Sequence, residues 1–528
     1  MQELRWWQRA VIYEIYPRSF QDSNNDGIGD LDGILRRLDY LVQLGVDAIW
    51  IAPVYPSPMA DFGYDVADYC GIDPIFGTMR DFDHLLSECH QRGLKVILDF
   101  VPNHTSDQHP WFQESKSSRE SPRRDWYLWR DEPNNWLSQF GGSAWEFDAT
   151  SGQYYCHSFL KEQPDLNWRN RTVKDAMFDA LRFWLDRGVD GFRVDVMWLM
   201  IKDDQFRDNP PNPGYIGGNP PSQRLLSVFN SDQPEVHALV AEMRAVVDEY
   251  EDRVLIGEIY LPVKLLMTYY GVDLQGANLP FNFLLLQCAW SAEAVRATIS
   301  EYLAALPSGA WANWVLGNHD NARIASKVGT RQAPVAAMLL LTLPGTLTMY
   351  YGEEIGMTNV AIPPEDVKDP AEKNQPGIGM GRDPERTPMQ WDTSHSADFT
   401  TAAPWLPLAS DFDKNNVATL LDDDASILNL YRRLIALRRT HPVLVSGGLS
   451  QPSAKGNLLC YERADSAERL LVVLNMGFDP VESQLQSGTI LLSTARDCDG
   501  QRIHDVVTVR GAEGLIIVLH DNPSAISA

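Results

Sequence analysis

The segment Gly191–Val196, with the sequence GFRVDV, decides the expected fold because it joins a buried strand to an acidic side chain. The run Val189–Phe192 has the apolar composition of a buried parallel strand, and Asp195 follows where that strand should end. Acids at the carboxyl ends of parallel strands are typical of the catalytic face of a barrel. The segment therefore predicts a barrel strand that ends in an active site.

Three other segments repeat this arrangement elsewhere in the chain. Each places carboxylates or histidines directly after an apolar and often β-branched run. They are Asp99–His104 (DFVPNH), Gly257–Tyr260 (GEIY) and Asn318–Asp320 (NHD). Because barrel strands all end at the same rim, we expect the polar side chains of the four segments to surround one pocket.

Strand patterns alternate with helix patterns along most of the chain, which predicts a parallel sheet. The predicted strands are Val11–Tyr16, Ala48–Ala52, Val96–Val101, Val189–Val194, Val254–Gly257, Ala277–Phe283, Ala312–Leu316 and Leu347–Tyr351. The predicted helices are Ile34–Leu44, Phe82–Arg92, Val173–Arg187 and Ile427–Arg439. Eight such strands close a (β/α)8 barrel.

Two stretches depart from this alternation and predict additional domains. Residues 103–170 are rich in Trp, Asn, Pro and Gly and are too long for an ordinary loop, so they predict a small inserted domain. Residues 443–528 contain short alternating runs that predict an antiparallel β-domain. The barrel then comprises residues 1–102 and 171–442. The expected fold is an α/β (β/α)8 TIM barrel with an insertion after strand 3 and a C-terminal antiparallel β-domain.

Composition limits the class of partner. The chain has 528 residues, of which 44% are hydrophobic, and a formal charge of −26. Such a chain can bury a large core, and its charge would repel nucleic acid and anionic membranes, so a small neutral ligand fits better. No signal-like apolar core occurs in the first residues and no later window resembles a membrane span. The sequence predicts a cytoplasmic protein and leaves its oligomeric state open.

The cysteines and two irregular segments add further expectations. The six cysteines show neither CxxC spacing nor zinc-ligand spacing, which predicts reduced thiols. The segments Asp203–Pro221 and Pro363–Pro388 are dense in Pro, Gly and Asp and should overhang the ends of the barrel strands. We expect these two segments to shape the pocket.

Asp195 and Glu258 are the residues best suited to carry chemistry. Strand alternation places Arg193 and Asp195 on the same face, where the arginine favours the ionised carboxylate of a nucleophile. Glu258 ends another strand, and a partly dry glutamate has a raised pKa that suits a general acid. A structural Arg–Asp pair is the simpler reading of Arg193 and Asp195 taken alone. Two carboxylates of opposite role in one pocket are the requirement of glycoside hydrolysis.

Asp99, His104, His319 and Asp320 end other predicted strands. The histidines could donate hydrogen bonds to ligand hydroxyls, bind a metal, or play a structural role, and either one taken alone favours the structural role. Taken together, the four strand ends argue against a purely structural explanation, because each would carry a costly acid without a function.

The complete set of motifs resembles the α-amylase superfamily, glycoside hydrolase family 13, and within it the α-glucosidase and oligo-1,6-glucosidase branch. The resemblance rests on the four segments above together with AVIYEIYPRSF, DGIGDLDGI, FGYDVADY, QPDLN at Gln163–Asn167, YYGEEIGM at Tyr350–Met357 and RTPMQW at Arg386–Trp391. These motifs span nearly the whole chain in one order. The resemblance implies an exo-acting retaining α-glucosidase with no organic cofactor and with short α-glucosides as substrates.

The same resemblance implies roles for individual residues. Asp195 would be the nucleophile, Glu258 the acid and base, and Asp320 the residue that holds the 2- and 3-hydroxyls of the glucose. Other residues would complete the glucose subsite, with Tyr64 stacking on the sugar; they are Asp61, Tyr64, Asp99, His104, Arg193, His319 and Arg386. Asp61 and Arg386 would close the pocket behind the terminal glucose.

Val196 follows the nucleophile and bears on linkage preference. In related enzymes a valine at this position accompanies acceptance of α-1,6 bonds, which the QPDLN motif also favours. Cleavage of α-1,4 bonds or of trehalose remains open. A covalent intermediate could also pass its glucose to another hydroxyl, so transglucosylation is a further possibility.

The acidic loop at Asp22–Asp30, DSNNDGIGD, spaces oxygen donors at alternate positions around a glycine. This pattern is typical of a calcium loop, although a solvated acidic turn is the simpler alternative. The expected ligands are the side chains of Asp22, Asn24, Asp26 and Asp30 and the carbonyl of Ile28. The resemblance implies a structural Ca²⁺ or Mg²⁺ far from the catalytic acids.

Three alternatives are weighed against the glucosidase reading. A non-catalytic barrel of the transporter heavy-chain type would have a membrane anchor and would lack the catalytic acids, unlike this chain. A metal-dependent hydrolase using His104 and His319 would be supported by an HxH strand motif, which is absent. A sucrose-converting enzyme is the closest rival. Asn321–Gly329 lacks the arginine- and aspartate-rich pattern associated with sucrose isomerases, which disfavours that rival without removing it.

Overall fold

The first part of the barrel contains the strands that carry the N-terminal motifs. The computed structural model describes residues 3–504 and 506–520. The strands of this part are β1 (Val11–Ile15), β2 (Ala48–Ile51) and β3 (Lys95–Phe100). Its helices are α1 (Trp6–Arg9), α2 (Pro17–Phe20), α3 (Leu31–Arg36), α4 (Leu38–Leu44) and α5 (Met79–Gln91). The predicted helix Ile34–Leu44 is wrong as a single element, because Arg37 leaves the helical region and separates α3 from α4.

The segment after β3 forms a small antiparallel sheet outside the barrel. It consists of β4 (Trp129–Arg130), β5 (Trp145–Asp148) and β6 (Gln153–Cys156), preceded by helix α6 (Pro110–Ser117). Strand β6 is central and pairs with both neighbours. Aromatic rings hold the sheet together, among them Phe112, Trp129 and Tyr155.

The chain then returns to the barrel. The strands are β7 (Gly191–Val194), β8 (Val254–Gly257), β9 (Leu279–Pro280), β10 (Asn313–Val315) and β11 (Thr346–Tyr350). The helices are α7 (Arg171–Asp186), α8 (Glu235–Val247), α9 (Val263–Leu266), α10 (Leu284–Gln287), α11 (Ala292–Ala305), α12 (Ile324–Val328), α13 (Ala333–Thr342), α14 (Pro370–Asn374), α15 (Val417–Asp422), α16 (Ile427–Thr440) and α17 (Val443–Ser446).

The eight barrel strands are parallel and follow the order β10-β11-β1-β2-β3-β7-β8-β9. Side chains join the remaining gap, because Asn313 Nδ2 donates to the Pro280 carbonyl at 2.8 Å and Asn313 Oδ1 accepts from the Asn282 N–H at 2.9 Å. Strand β9 is much shorter than the predicted Ala277–Phe283, since Pro280 has no N–H for a ladder. The predicted (β/α)8 barrel is confirmed, and its strand ends share one rim.

The C-terminal domain is an antiparallel β-structure, as predicted. Its strands are β12 (Gly448–Leu449), β13 (Ser453–Lys455), β14 (Leu458–Ala464), β15 (Arg469–Asn475), β16 (Val481–Gln484), β17 (Gly488–Ser493), β18 (Arg502–Ile503), β19 (Val506–Val509) and β20 (Gly514–Leu519). The buried Arg463 fixes this domain to the barrel, since its guanidinium donates to the carbonyls of Thr342 and Leu444. The end of the predicted domain, residues 521–528, lies outside the described residues.

Two global predictions can be compared directly with the structure. All six cysteines are free thiols, as the scattered spacing predicts. Among residues 3–504 and 506–520, no helix is both long and apolar enough to cross a membrane.

Candidate active site

Arg193 is the centre of a buried cluster at the rim of the barrel. Its Nη1 lies 3.0 Å from Asp99 Oδ1 and 2.7 Å from Asp195 Oδ1, and its Nη2 lies 2.7 Å from Glu258 Oε2. The carboxylates come from the ends of β3, β7 and β8, which are neighbours in the sheet. One guanidinium therefore fixes three carboxylates that the sequence places far apart.

The cluster contains more negative than positive charge, and this sets its protonation. Burial raises the pKa of Asp195, and the charge of Glu258 raises it further, while Arg193 opposes both effects. Burial also raises the pKa of Glu258, and it raises the pKa of Asp99 to about 6. The expected effect of Arg193 on Asp195 has the right sign, but burial outweighs it. Burial and their mutual repulsion therefore disfavour ionisation of Asp195 and Glu258 at the same time.

Val196 positions the general-acid candidate through its backbone. Its N–H donates to Glu258 Oε2 at 2.9 Å, and its φ of 36° lies in the left-handed region. A β-branched residue rarely adopts this conformation, and such strain is concentrated at functional sites. The turn after β7 thus orients Asp195 and Glu258 together.

His319 is held behind the site by two aromatic rings. Its imidazole stacks between Tyr16, at a centroid distance of 5.6 Å, and Tyr64, at 5.3 Å. Its Nδ1 lies 2.5 Å from Glu14 Oε1, and its Nε2 lies 2.8 Å from the Tyr64 hydroxyl. Burial lowers the pKa of His319, and the charge of Asp320 opposes that shift. The Tyr64 hydroxyl also donates to Asp99 Oδ2 at 2.9 Å, which connects this stack to the Arg193 cluster.

Asp320 lies in a different electrostatic environment. Its Oδ1 is 2.7 Å from Arg386 Nη2 and 3.3 Å from Arg382 Nη1. Removal from water opposes ionisation of Asp320, but His319, Arg386 and Arg382 hold its pKa below the usual value for an aspartate. Asp320 is therefore a permanent carboxylate at neutral pH.

Arg382 and Arg386 have different carboxylate partners at the closed end of the pocket. Asp61 Oδ1 lies 2.7 Å from Arg382 Nη2, not against Arg386. The same guanidinium contacts Asp369 at 2.9 Å. Arg386 is buried and donates instead to the His319 carbonyl and to Asp320. Arg382 is thus an additional cation at this end, and the roles expected of Asp61 and Arg386 toward the terminal glucose stay predictions.

His104 and Gln163 complete this end of the site. His104 Nε2 is 3.0 Å from the Tyr64 carbonyl, and Gln163 Nε2 is 3.2 Å from both His104 Nε2 and Asp61 Oδ2. Burial lowers the pKa of His104 to about 4, so it acts as a neutral hydrogen-bonding group. Gln163 belongs to the QPDLN motif, and its contacts explain how the inserted domain joins the pocket.

These groups surround a cavity of about 760 Å³, a volume within the range typical of small-molecule sites. The predicted residues that line it are Asp61, Tyr64, His104, Asp195, Val196, Glu258 and Asp320. The predicted residues that instead lie behind this lining are Asp99, Arg193, His319 and Arg386. The buried residues behind the lining orient the side chains that line the cavity.

Several lining residues were not predicted from the sequence. They are Gln139, Phe140, Phe159, Gln163, Trp198, Tyr260, Asn321, Asn359, Arg382 and Glu385. Most lie in loops or in the inserted domain. Pro363–Pro388, expected to overhang the rim, supplies Arg382 and Glu385, but that signal does not select individual side chains. No residue of Asp203–Pro221 is among the cavity-lining residues, so the expectation that this segment shapes the pocket is wrong at the level of direct lining.

The acidic loop has the donor chemistry of a hard-cation site. Asp22, Asn24 and Asp26 each accept the N–H two residues further along, which curls the loop. Asp30 accepts hydrogen bonds from the N–H groups of Ser23 and Gly33. Carboxylate and amide oxygens such as those of this loop are the ligands that Ca²⁺ prefers. Among the described residues, the acids that converge within 4.8 Å are those of another cluster, Asp497–Cys498–Glu513, not those of this loop.

The comparisons with known proteins agree with this geometry. The family model "Alpha amylase, catalytic domain" matches residues 14–447. A probable alpha-glucosidase of Rhizobium meliloti is 40% identical over 502 residues, covering 91% of each chain. An oligo-1,6-glucosidase of Heyndrickxia coagulans is 41% identical over 524 residues, covering 90% of this chain and 93% of the relative. The chain belongs to the α-amylase family and is a glycoside hydrolase.

A solved structure extends the likeness to the whole fold. The α-glucosyl transfer enzyme XgtA superposes with a TM-score of 0.92 at 39% identity, covering 98% of this chain and 100% of that chain. The resemblance inferred from the motifs is therefore confirmed at the level of the family.

Proposed function

We propose that the protein is an exo-acting, retaining α-glucosidase that releases glucose from the non-reducing end of short α-glucosides. The observation that carries the proposal is the Arg193 cluster, in which Asp195 and Glu258 bind neighbouring nitrogens of one guanidinium and open onto the cavity. A retaining mechanism needs the two carboxyl groups roughly 5–5.5 Å apart, whereas inversion needs a wider gap for water. The contact of both carboxylates with one guanidinium, each at 2.7 Å, supports the shorter spacing.

The two carboxyl groups divide the chemistry. In the first step, an Asp195 oxygen attacks the anomeric carbon while the bond to the departing oxygen breaks and Glu258 protonates that oxygen. In the second step, Glu258 takes a proton from water, and the water oxygen displaces Asp195 from the anomeric carbon. The raised pKa of Glu258 suits the acid role, and the contact of Asp195 with Arg193 suits the carboxylate that remains.

The closed end of the cavity supports exo cleavage. Arg382 joins Asp61 to Asp320, and Gln163 joins Asp61 to His104. Contacts that tie the side chains together at this end support a pocket closed behind one terminal sugar. Neutral His104 and Gln163, beside the ion pairs of Arg382, offer hydrogen-bonding groups that suit the hydroxyls of an uncharged glucose.

For linkage, the proposal is that the enzyme accepts substrates with α-1,6 bonds. It rests on Val196, which lines the cavity next to the nucleophile, and is supported by the relative named oligo-1,6-glucosidase. Cleavage of α-1,4 bonds or trehalose is compatible with the same catalytic groups. A single side chain in such a position changes discrimination by about 1–3 kcal/mol.

The experiment is a time course with equal concentrations of maltose and isomaltose, with the Asp195→Asn protein as the blank. Faster release of glucose from isomaltose would support the linkage proposal, and preference for maltose would overturn it while preserving the mechanism. Release of glucose from neither sugar would overturn the glucosidase proposal. Val196→Thr is the matched variant, since it keeps the volume and should move preference toward maltose.

A second candidate is transfer of glucose to a sugar hydroxyl in place of water. The likeness to the α-glucosyl transfer enzyme favours this candidate specifically. Both activities share the covalent step, so they differ only in which hydroxyl reaches the anomeric carbon second. Quantifying trisaccharides at rising isomaltose concentration separates them.

We also propose that the Asp22–Asp30 loop binds Ca²⁺, with Mg²⁺ as the alternative, and that the protein works in the cytoplasm. The curled loop and its oxygen donors support the first proposal. Six free cysteines support the second, because reduced thiols are typical of a reducing compartment. Calorimetric titration of the metal-free protein with Ca²⁺ and with Mg²⁺ tests the loop, and Asp26→Asn should weaken the binding.

A further inference from the structure

Glu385 is a buried acid that faces the active-site cavity without a role in the catalytic scheme above. It ends a short 3-10 turn, Asp383–Glu385, and its side chain is 4% exposed while lining the cavity. Its Oε2 accepts from Asn359 Nδ2 at 3.0 Å. Its Oε1 receives no hydrogen bond from the described part of the chain, yet it is not fully buried. One oxygen is therefore fixed, and the other is available to a ligand.

The orientation of Glu385 is fixed by its neighbours. The Arg323 N–H donates to Asn359 Oδ1 at 2.8 Å, which obliges Asn359 to present its amide hydrogens to Glu385. The Asn359 N–H is itself bound by Ser326 Oγ at 2.6 Å. The Tyr350 hydroxyl donates to the Glu385 carbonyl at 3.1 Å. A polar group held this rigidly at a cavity wall is arranged for recognition.

The contacts of Glu385 separate it from the glucose end of the cavity. That end is built from the mutual contacts of Asp61, Tyr64, His104 and Gln163, none of which bonds to Glu385. Glu385 lines the cavity together with its partner Asn359 and with Asn321, the residue that follows Asp320 in the chain.

We infer that Glu385 is a specificity-determining residue that binds a hydroxyl of the acceptor sugar, the unit that departs in hydrolysis or receives glucose in transfer. The inference rests on the proposed glucosidase function and adds to it a recognition group for the second sugar. Burial raises the pKa of Glu385 to about 8, with Asp320 raising it further and Arg386 and Arg323 opposing. At neutral pH the group is a carboxylic acid, which can donate its proton to a sugar oxygen.

The test compares isomaltose with α-D-glucosyl fluoride, which has the same glucose unit but no acceptor sugar. For Glu385→Ala, kcat/KM should fall about tenfold for isomaltose and stay unchanged for the fluoride, as expected for one lost hydrogen bond. Glu385→Gln should restore most of the isomaltose rate, because its amide also donates. An equal loss for both substrates, or no loss for either, would overturn the inference.

The pH dependence supplies a second readout. Above the pKa of Glu385, about 8, the wild-type carboxylate loses its proton, so the isomaltose-to-fluoride ratio of kcat/KM should fall. In Glu385→Gln the ratio should stay level across the same range. A ratio that falls equally in both proteins would contradict the assignment.

Glu353 provides a matched control. Burial also raises the pKa of this glutamate to about 8, but it does not line the cavity and both of its oxygens are sealed. Glu353→Gln should leave the substrate ratio unchanged at every pH. Failure of the wild-type protein to cleave the fluoride would count against the proposed function, whereas cleavage with an unchanged ratio in Glu385→Ala would count against this inference alone.

Discussion

Two acidic clusters lie at the same rim and have opposite electrostatics. In the Arg193 cluster, one guanidinium serves Asp99, Asp195 and Glu258, and burial raises the pKa of all three carboxyl groups. Around Asp320, two guanidiniums converge on one carboxylate and hold its pKa down. The ratio of cations to acids therefore decides which carboxyl groups exchange protons and which one stays charged.

This difference matches the chemistry that each cluster would perform. A pair that holds one proton can supply an acid and a nucleophile together. A permanent carboxylate can bind sugar hydroxyls throughout the cycle without being neutralised. The barrel thus obtains two functions from one residue type by the placement of arginines.

The largest expected effect is that of Asp195→Asn. An amide cannot form the covalent ester, so kcat should fall by about ten thousandfold or more. The measurement is glucose release under single-turnover conditions, with the thermal unfolding midpoint as the control for folding. Activity within tenfold of wild type would remove Asp195 from the nucleophile role.

Asp320→Asn should have the next largest effect, about a thousandfold in kcat/KM, since bonds to sugar hydroxyls strengthen in the transition state. The charge of Asp320 raises the pKa of Glu258. Its removal should therefore move the basic limb of the pH profile to lower pH. A basic limb that moves to higher pH would contradict this account.

Arg193→Lys should lower kcat/KM by about a hundredfold, because the single ammonium group of lysine cannot replace a guanidinium that binds three carboxylates. Arg193 lowers the pKa of both Asp195 and Glu258, so weaker contacts should move both limbs of the profile upward. Limbs that stay fixed in a folded variant would show that Arg193 does not set the protonation of the pair. The two variants thus shift the basic limb in opposite directions.

Much of this arrangement could be predicted from the sequence, because the strand-ending acids are local features. Asp195 and Glu258 follow apolar runs, and those runs are strands in the structure. Arg382 could not be selected in the same way. It lies in an irregular segment, and its partner Asp61 is 321 positions away in the chain.

Prediction of the fold from the sequence was limited for similar reasons. Strand β9 is only two residues long, and side chains of Asn282 and Asn313 connect it to β10, which no periodicity reveals. The protonation of the Arg193 cluster also depends on burial and on the count of neighbouring charges. Such properties arise from tertiary contacts and not from the motif itself.

The smallest catalytic effect is expected from removal of the metal proposed for the Asp22–Asp30 loop. The loop lies outside the cavity lining, so a chelator should lower the unfolding temperature by a few degrees and leave kcat of the folded protein unchanged. Differential scanning calorimetry and initial rates at low temperature provide both values. An equal loss of kcat without unfolding would contradict a structural role.

The central claim is that Asp195 and Glu258 form a retaining pair, and the anomeric form of the first glucose released tests it most directly. Proton magnetic resonance can follow hydrolysis of p-nitrophenyl α-D-glucopyranoside before the product mutarotates. Two displacements at one carbon predict that α-glucose appears first and converts slowly to the β form. Initial release of β-glucose would mean a single displacement and would contradict the account.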